Sequence, residues 1–143
     1  MKEIRGNLWD YWTALDTAVV ITTNGTVKKN SECVMGKGCA FEAAQKIPGI
    51  AKTLGHLIEE KGNHVHYMGH GIFSFPVKHN WWEPADLSLI KRSAYELVEL
   101  ANTLSLKSVI IPRPGCGNGW LRWNDVKAVL ESILDDRFSI ISF

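Results

Sequence analysis

The sequence contains no long apolar run and carries almost no net charge. No stretch approaches the roughly 20 apolar residues that a membrane-spanning helix requires, and the charged N-terminal segment lacks the pattern of a secretory signal peptide. The net charge is only +1, so composition gives no argument for a general attraction to nucleic acid or to a membrane surface. These absences predict a cytoplasmic protein that does not interact with membranes.

Cysteine is also scarce. Cys33, Cys39 and Cys116 are odd in number and have no C-x-x-C spacing, which argues against a disulfide framework and is typical of a reducing compartment. Cys116 lies in a glycine-rich turn, where a thiol can act as a nucleophile, but no histidine can be assigned to it as a base. We interpret Cys33 and Cys39 as structural or incidental, and a nucleophilic Cys116 as the less favoured alternative.

Metal-binding patterns are equally sparse. His64, His66 and His70 are close in sequence, and the first two would share one face of a strand, as a pair of zinc ligands would. No acid or cysteine stands nearby at a spacing that would complete a metal site, so ordinary surface or core histidines are favoured over zinc ligands. We expect no metal and no cofactor.

The rest of the composition is that of an ordinary globular domain. With 143 residues, 45% of them hydrophobic and 22% charged, the chain can form one domain with a sizeable core, which we assign to residues 1–143. Residues 18–23 give the clearest strand signal, an uncharged β-branched run typical of a strand that is buried on both faces of a parallel sheet.

Strands and helices alternate along the chain. The pattern predicts strands at 1–5, 18–23, 108–111 and 138–143, and helices at 39–46, 50–60, 86–103 and 124–134. Less regular stretches are interpreted as a short helix or turn at 8–15, a loop at 26–32, strands or a hairpin at 64–68 and 71–75, and an irregular segment at 76–84. This alternation predicts a three-layer α/β/α sandwich around a mixed, mostly parallel sheet.

Two glycine-rich loops follow predicted strands and precede predicted helices. They cover residues 35–40 and 115–119, and glycines in such positions let backbone N–H groups approach a phosphate closely. The spacing fits neither a Walker loop nor the opening turn of a Rossmann domain. Tight turns with no ligand remain the alternative, but two separate loops at one sheet edge suit the two halves of a diphosphate.

A lysine and several tryptophans lie near these loops. Lys78 follows a predicted strand and precedes a Trp-Trp pair, and an amine near apolar rings can have a lowered pKa and act as a nucleophile or as a general acid or base. A solvated surface lysine is the alternative. The tryptophans near the loops indicate either an aromatic wall for a flat ligand or packing in the core. They are Trp81, Trp82, Trp120 and Trp123.

Four stretches resemble the macro domain, an ADP-ribose-binding family. They are residues 20–24, 34–40, 75–78 and 111–123. The order and spacing of Met-Gly-Lys-Gly and Gly-Cys-Gly-Asn-Gly are quite specific, and the similarity extends over essentially the whole chain. The branch that the sequence resembles contains the terminal ADP-ribose protein glycohydrolases and the bacterial DNA ADP-ribosyl glycohydrolase antitoxins.

This resemblance implies a cleft for ADP-ribose. It assigns Lys78 as the catalytic lysine, Asn7 and Leu8 to the adenine end, and Asn24 to the distal ribose. It assigns the diphosphate and its riboses to two loops, the first made of Met35, Gly36, Lys37, Gly38, Cys39 and Ala40, and the second of Pro112, Gly115, Cys116, Gly117, Asn118, Gly119 and Trp120.

The sequence departs from its relatives at three points. Asn7 stands where the family has an aspartate, and a polar insertion at about 26–33 separates Asn24 from the first loop. Gly119 stands where the protein-directed glycohydrolases carry an acid, whereas the DNA-directed relatives share the Gly-Asn-Gly pattern. The sequence therefore resembles the DNA-directed relatives more closely.

The resemblance implies that the protein binds ADP-ribose and hydrolyses a terminal ADP-ribosyl bond on a macromolecule, either protein or DNA. The alternatives are a non-catalytic ADP-ribose reader and an ADP-ribose 1″-phosphate phosphatase. The expected partner is ADP-ribose or an ADP-ribosylated macromolecule, and nucleic acid is expected only as a substrate that carries the modification.

Overall fold

A computed structural model describes residues 1–143 of the chain, which form five strands, four α-helices and one short 3-10 helix. In chain order these are β1 (Lys2–Arg5), the 3-10 helix (Leu8–Tyr11), β2 (Thr17–Asn24), α1 (Gly38–Lys46), α2 (Ile50–Lys61), β3 (Ile72–Lys78), α3 (Leu87–Thr103), β4 (Ser108–Pro112), α4 (Trp123–Glu131) and β5 (Phe138–Ser142). None of the helices is both long and apolar enough to cross a bilayer.

The strands form one sheet in the order β1-β5-β4-β2-β3, and every neighbouring pair is parallel. The expected sandwich is therefore confirmed, with a wholly parallel sheet in place of a mixed one. All carboxyl ends of the strands consequently lie along one edge, where ligands bind in open α/β sheets.

Alternate residues of the central strands pack against opposite helical layers. Val20 joins a core with α3 and α4, whereas Val19 and Ile21 join a second core with α1 and α2. Burial on both faces explains why β2 is an unbroken apolar run without the alternation of a one-sided strand.

Two segments differ from their sequence interpretation. Residues 64–68 are not a strand, and their only ladder contact is an isolated bridge between Tyr67 and Phe73. Conversely, β3 continues through Pro76 to Lys78, within the stretch interpreted as irregular. Proline is tolerated there because β3 is an edge strand, where a missing N–H need not break a ladder.

The insertion at 26–33 is packed tightly between α2 and the sheet edge. Cys33 N–H donates to Ala51 O at 2.9 Å, and a Cβ added to Gly55 would lie only 1.8 Å from Ser31 O. Because Gly55 has no side chain, the insertion can pack directly against the middle of α2.

Gly55→Ala is expected to lower the free energy of unfolding by about 1–3 kcal/mol, because the added methyl group would force the insertion away from α2. Alanine is intrinsically better than glycine in a helix by about 1 kcal/mol, so an increase in stability would contradict the packing described here. Urea denaturation measures the change. Gly36→Ala is the matched control, because nothing lies within 4 Å of a Cβ at that position.

Candidate functional site

A cleft of about 1310 Å³ opens at the carboxyl edge of the sheet. Every residue that the sequence assigned to the site lines it, including Asn7, Leu8, Asn24, Lys78, Pro112 and all residues of the two glycine-rich loops from Met35 to Ala40 and from Gly115 to Trp120. The structure therefore brings together segments that are widely separated in sequence.

The two glycine-rich loops face each other across the cleft. A Cβ on Gly38 would lie 3.4 Å from the side-chain amide of Asn118, so the two loops are in near contact. Gly38 also has a φ of +61°, which glycine adopts at little cost. Since α1 begins at Gly38, its first free N–H groups lie at the cleft, where an anion is favoured.

The glycines of the second loop differ in how much space surrounds them. A Cβ on Gly115 would lie 2.8 Å from Ile90 Cδ1, and one on Gly119 would lie 2.6 Å from both Ala85 Cβ and Gly115 O. Gly117 has nothing within 4 Å of that position. Gly115 and Gly119 are thus required by packing, whereas Gly117 leaves open space that a ligand can occupy.

Lys78 is the last residue of β3 and lies beside Asn24 of β2. The register slips at this point, because Thr23 pairs with Pro76 whereas Asn24 pairs with Lys78. Bulges of this kind redirect side chains near active sites. The Lys78 amine donates to Trp81 O at 3.4 Å and pairs with no carboxylate.

Burial lowers the pKa of the Lys78 amine below its ordinary value, and the nearby positive charge of Lys37 lowers the pKa further. Both causes favour the neutral amine, which is the nucleophilic form. Lys37 belongs to the first glycine-rich loop, so the loop expected to hold the diphosphate also influences the reactive lysine.

Asn24 is held by the insertion. Its Nδ2 donates to Val34 O at 3.0 Å, and its Oδ1 accepts from Thr26 N–H at 2.9 Å. A side-chain amide has a second donor and a second lone pair, so Asn24 can still bond a ribose hydroxyl. Thr26 at the start of the insertion and Val34 directly after it therefore hold the asparagine at both polar ends.

Asn7 caps the 3-10 helix, and its Oδ1 accepts from Trp9 N–H at 3.0 Å. The residue is exposed and lines the cleft at the end near β1. The remaining lone pair of Oδ1 is free for another donor, but the cap ties any substitution here to local stability as well as to binding.

The two cysteines in the loops are poor nucleophiles. Burial raises the pKa of the Cys39 thiol and of the Cys116 thiol, which disfavours the reactive thiolate. Cys39 Sγ lies 3.4 Å from both the N–H and the hydroxyl of Thr22, so this cysteine joins the first turn of α1 to β2. These contacts agree with a structural role.

The histidine cluster lies away from the cleft lining. His64 Nδ1 is 2.7 Å from Glu96 Oε2, and His66 Nε2 is 2.9 Å from Gly62 O. Each imidazole thus has one hydrogen-bond partner, which is a side chain of α3 for His64 and the main chain at the C-terminal end of α2 for His66. These partners account for both imidazoles as structural groups.

Sequence reasoning missed the charged lining of the cleft. Lys28, Arg113, Glu42 and Glu83 also line it, and with Lys37 and Lys78 they give four cationic and two anionic side chains. The net charge of the whole chain hides this local excess of positive charge. No periodic pattern marks these residues, so nothing in the sequence pointed to them.

Three of the four tryptophans expected near the site lie at the cleft, namely Trp81, Trp82 and Trp120. Trp123 does not, because its indole N–H donates to Glu3 at 3.0 Å and the Arg113 guanidinium covers its ring at 4.8 Å. Of the two alternatives stated from the sequence, an aromatic wall or core packing, Trp123 follows the second, because it packs against the core at the start of α4.

A parallel sheet between two helical layers, with a cleft at its carboxyl edge walled by two glycine-rich loops, defines a macrodomain fold. The macrodomain of Mycobacterium tuberculosis DarG has a TM-score of 0.77 and 26% identity, with coverage of 99% of this chain and 97% of that one. The macrodomain of Thermus aquaticus DarG gives 0.80 and 23%, with the same coverage. The resemblance to macrodomains stated from the sequence is confirmed.

The sequence comparison leads to the same branch. The chain is 29% identical over 128 residues to a DNA ADP-ribosyl glycohydrolase of Mycobacterium tuberculosis, which covers 82% of this chain and 35% of the relative. It is 28% identical over 145 residues to the Thermus aquaticus protein of the same name, covering 94% and 38%. The chain thus spans little more than a third of the curated relatives it matches. No family model matches the chain.

A further solved structure contains a ligand. Thermosipho africanus DarTG in complex with ADP-ribose matches with a TM-score of 0.77 and 19% identity, covering 99% of this chain and 41% of that one. At this identity the match shows the fold alone.

Proposed function

We propose that this protein binds ADP-ribose in the cleft and hydrolyses the bond between a terminal ADP-ribose and a DNA base. The observation that carries the proposal is the position of Lys78. Its amine stands at the carboxyl edge of the sheet, in the same cleft as both glycine-rich loops, and burial and Lys37 lower its pKa. The names of the curated relatives support the same activity.

The two loops would hold the diphosphate through backbone N–H groups. Gly36 and Gly117 have no side chain in the open space of the cleft, and α1 begins at Gly38 with its N–H groups unpaired. A diphosphate fixed there positions the distal ribose for reaction, since orientation of this kind contributes much of an enzyme's rate enhancement.

In the reaction, the neutral Lys78 amine attacks the anomeric carbon of the distal ribose. A bond forms between Nζ and that carbon as the bond from the carbon to the base breaks, and the base leaves with the electron pair and takes up a proton. Water then releases ADP-ribose from the lysine. The reaction consumes one water molecule and needs no other reactant.

Gly119 supports DNA as the carrier in preference to protein. Protein-directed glycohydrolases resemble this chain but carry an acid in the second loop, and here a Cβ at that position would lie 2.6 Å from Ala85 Cβ. The loop therefore has no room for a side chain where that acid would be attached, as in the Gly-Asn-Gly pattern of the DNA-directed relatives.

The proposed function is tested by incubating the protein with single-stranded DNA and with protein that each carry one ADP-ribose, and by measuring released ADP-ribose by chromatography. Release from DNA is expected. Tight calorimetric binding of ADP-ribose without release from either substrate would instead identify a reader. Failure to bind millimolar ADP-ribose would exclude both.

Asn7→Ala is expected to weaken ADP-ribose binding and to leave ribose 5-phosphate binding nearly unchanged, because only ADP-ribose has an adenine. One hydrogen bond contributes about 0.5–1.5 kcal/mol, so calorimetry should show a loss of up to roughly tenfold. Asn7→Asp is the matched control, since it keeps the helix cap and should bind ADP-ribose at least as well as the wild type. Equal weakening of both ligands would show that Asn7 is not at the adenine end.

A further inference from the structure

Three tryptophan side chains are exposed at the mouth of the cleft. Trp81 is 50% exposed, Trp82 is 64% exposed and Trp120 is 86% exposed. Large aromatic side chains contribute most to stability when they are buried, and apolar groups gathered at a cleft mark a binding surface. These rings therefore stand where a ligand can cover them.

The geometry of Trp81 and Trp82 leaves ring faces open. Their centroids are 6.0 Å apart and their planes are inclined by 87°, so the two rings meet edge to face. The rings do not stack on each other, and each keeps half or more of its surface in solvent. A flat aromatic group can stack on such a face.

Trp120 adds a second indication. Its φ is +70°, a left-handed conformation that is a genuine outlier for a bulky residue. Strained residues of this kind cluster at active sites and ligand-binding loops. The loop that carries Trp120 is hydrogen-bonded to the loop that carries Trp81 and Trp82. Ala85 N–H of the latter donates to Gly119 O of the former at 3.0 Å.

The tryptophan pair is held in a braced loop. Trp81 N–H donates to Thr26 Oγ1 at 3.0 Å, Asn80 donates to Glu83 at 2.8 Å, and His79 Nε2 lies 2.8 Å from Asp86 Oδ2. Thr26 begins the insertion that the sequence left without a role. A surface fixed before binding loses less entropy when it takes up a ligand.

The chemistry of this surface suits nucleobases in a single strand. Every base has a flat π-face, and stacking on exposed tryptophan tolerates any sequence. In a duplex those faces are covered by neighbouring base pairs. The cationic side chains Lys28, Lys37 and Arg113 also line the cleft and can meet the phosphates of a short strand, although they are too few for strong non-specific binding.

We propose that Trp81 and Trp82, with Trp120 on the adjoining loop, form a stacking site for the unpaired bases that flank the ADP-ribosylated base of a single-stranded DNA substrate. The inference rests on the proposed function, and it extends the site from the ADP-ribose itself to the strand that carries it. It also gives the insertion a role, which is to hold the tryptophan loop at the cleft.

The test uses a Lys78→Ala background, so that bound substrate is not consumed. The probes are a single-stranded oligonucleotide with one ADP-ribosylated base and a matched oligonucleotide with abasic residues on both sides of that base. Fluorescence anisotropy should show that the natural flanks bind about 5- to 150-fold more tightly than the abasic flanks. In Trp81→Ala/Trp82→Ala this ratio should fall towards one, and Trp81→Phe/Trp82→Phe should restore part of it.

Equal affinity for natural and abasic flanks in the Lys78→Ala protein that keeps both tryptophans would overturn the proposal without any tryptophan substitution. So would a ratio that survives the double alanine substitution, or equal affinity for the same oligonucleotide annealed to its complement. The proposed hydrolysis is read separately, in protein with Lys78 intact. If that protein releases no ADP-ribose while the ratio persists, the hydrolysis fails and the stacking site stands.

Discussion

Replacement of Lys78 by alanine is expected to abolish release of ADP-ribose from modified DNA while the protein still binds ADP-ribose. A group that only transfers a proton contributes about 10²- to 10⁴-fold to the rate. Loss of the nucleophile proposed above should slow single-turnover release by at least that factor. The loops that hold the diphosphate are separate from the Lys78 side chain, which explains why binding should persist. Calorimetry and chromatography on the same preparations measure the two effects. Full activity in the variant would remove Lys78 from the mechanism.

The pH profile distinguishes the two roles that Lys78 can have. Burial and Lys37 lower the pKa of its amine, so a nucleophilic lysine should give turnover that rises with pH, with a midpoint below the ordinary lysine pKa of about 10.4. A protonated lysine acting as an acid would give the opposite slope. Lys37→Met removes the nearby charge and should raise the pKa of Lys78, which would move the rise to higher pH.

Gly117→Glu is expected to abolish ADP-ribose binding and to leave the fold intact. Nothing lies within 4 Å of a Cβ at this position, so the side chain fits the folded protein and extends into the space assigned to the diphosphate. Its carboxylate would both fill the phosphate-binding loop and repel the ligand. Affinity measured by calorimetry should fall by roughly 100-fold or more, equivalent to at least about 2.7 kcal/mol.

Gly117→Gln separates charge from size. The glutamine has nearly the same volume without the negative charge, so it should bind ADP-ribose more weakly than the wild type and more tightly than Gly117→Glu. Circular dichroism should show the same fold in all three proteins. Normal binding by folded Gly117→Glu would mean that the second loop does not hold the diphosphate.

The sequence predicted the central elements because their cause is local. The apolar β-branched run around Val20 can be buried on both faces only in a sheet covered by helices, and Asp86 caps α3 by accepting from Ser88 N–H at 2.9 Å. The glycine-rich loops were recognisable because a tight turn at a cleft needs residues without side chains. These features depend on residues that are close together in the chain.

The errors arise where distant residues decide the structure. Residues 64–68 have β-like composition, but the N–H of Val65 donates to Glu96 and the N–H of His66 donates to the Ser74 hydroxyl. These N–H groups bond to side chains and not to a neighbouring strand. No local sequence pattern reveals those side-chain partners. The environment of Trp123 likewise depends on Glu3, which is 120 positions away in the chain.

The crowding at Gly119 would limit how readily the proposed preference for DNA could change during evolution. An acidic side chain at that position would collide at once with the Ala85 methyl group and with the main chain of Gly115. Neither neighbour can move aside like the end of a long side chain. A single substitution that places an acid at this position would therefore damage the loop before it supplied a new catalytic group. A change from the proposed DNA-directed activity to a protein-directed one would require several coordinated substitutions.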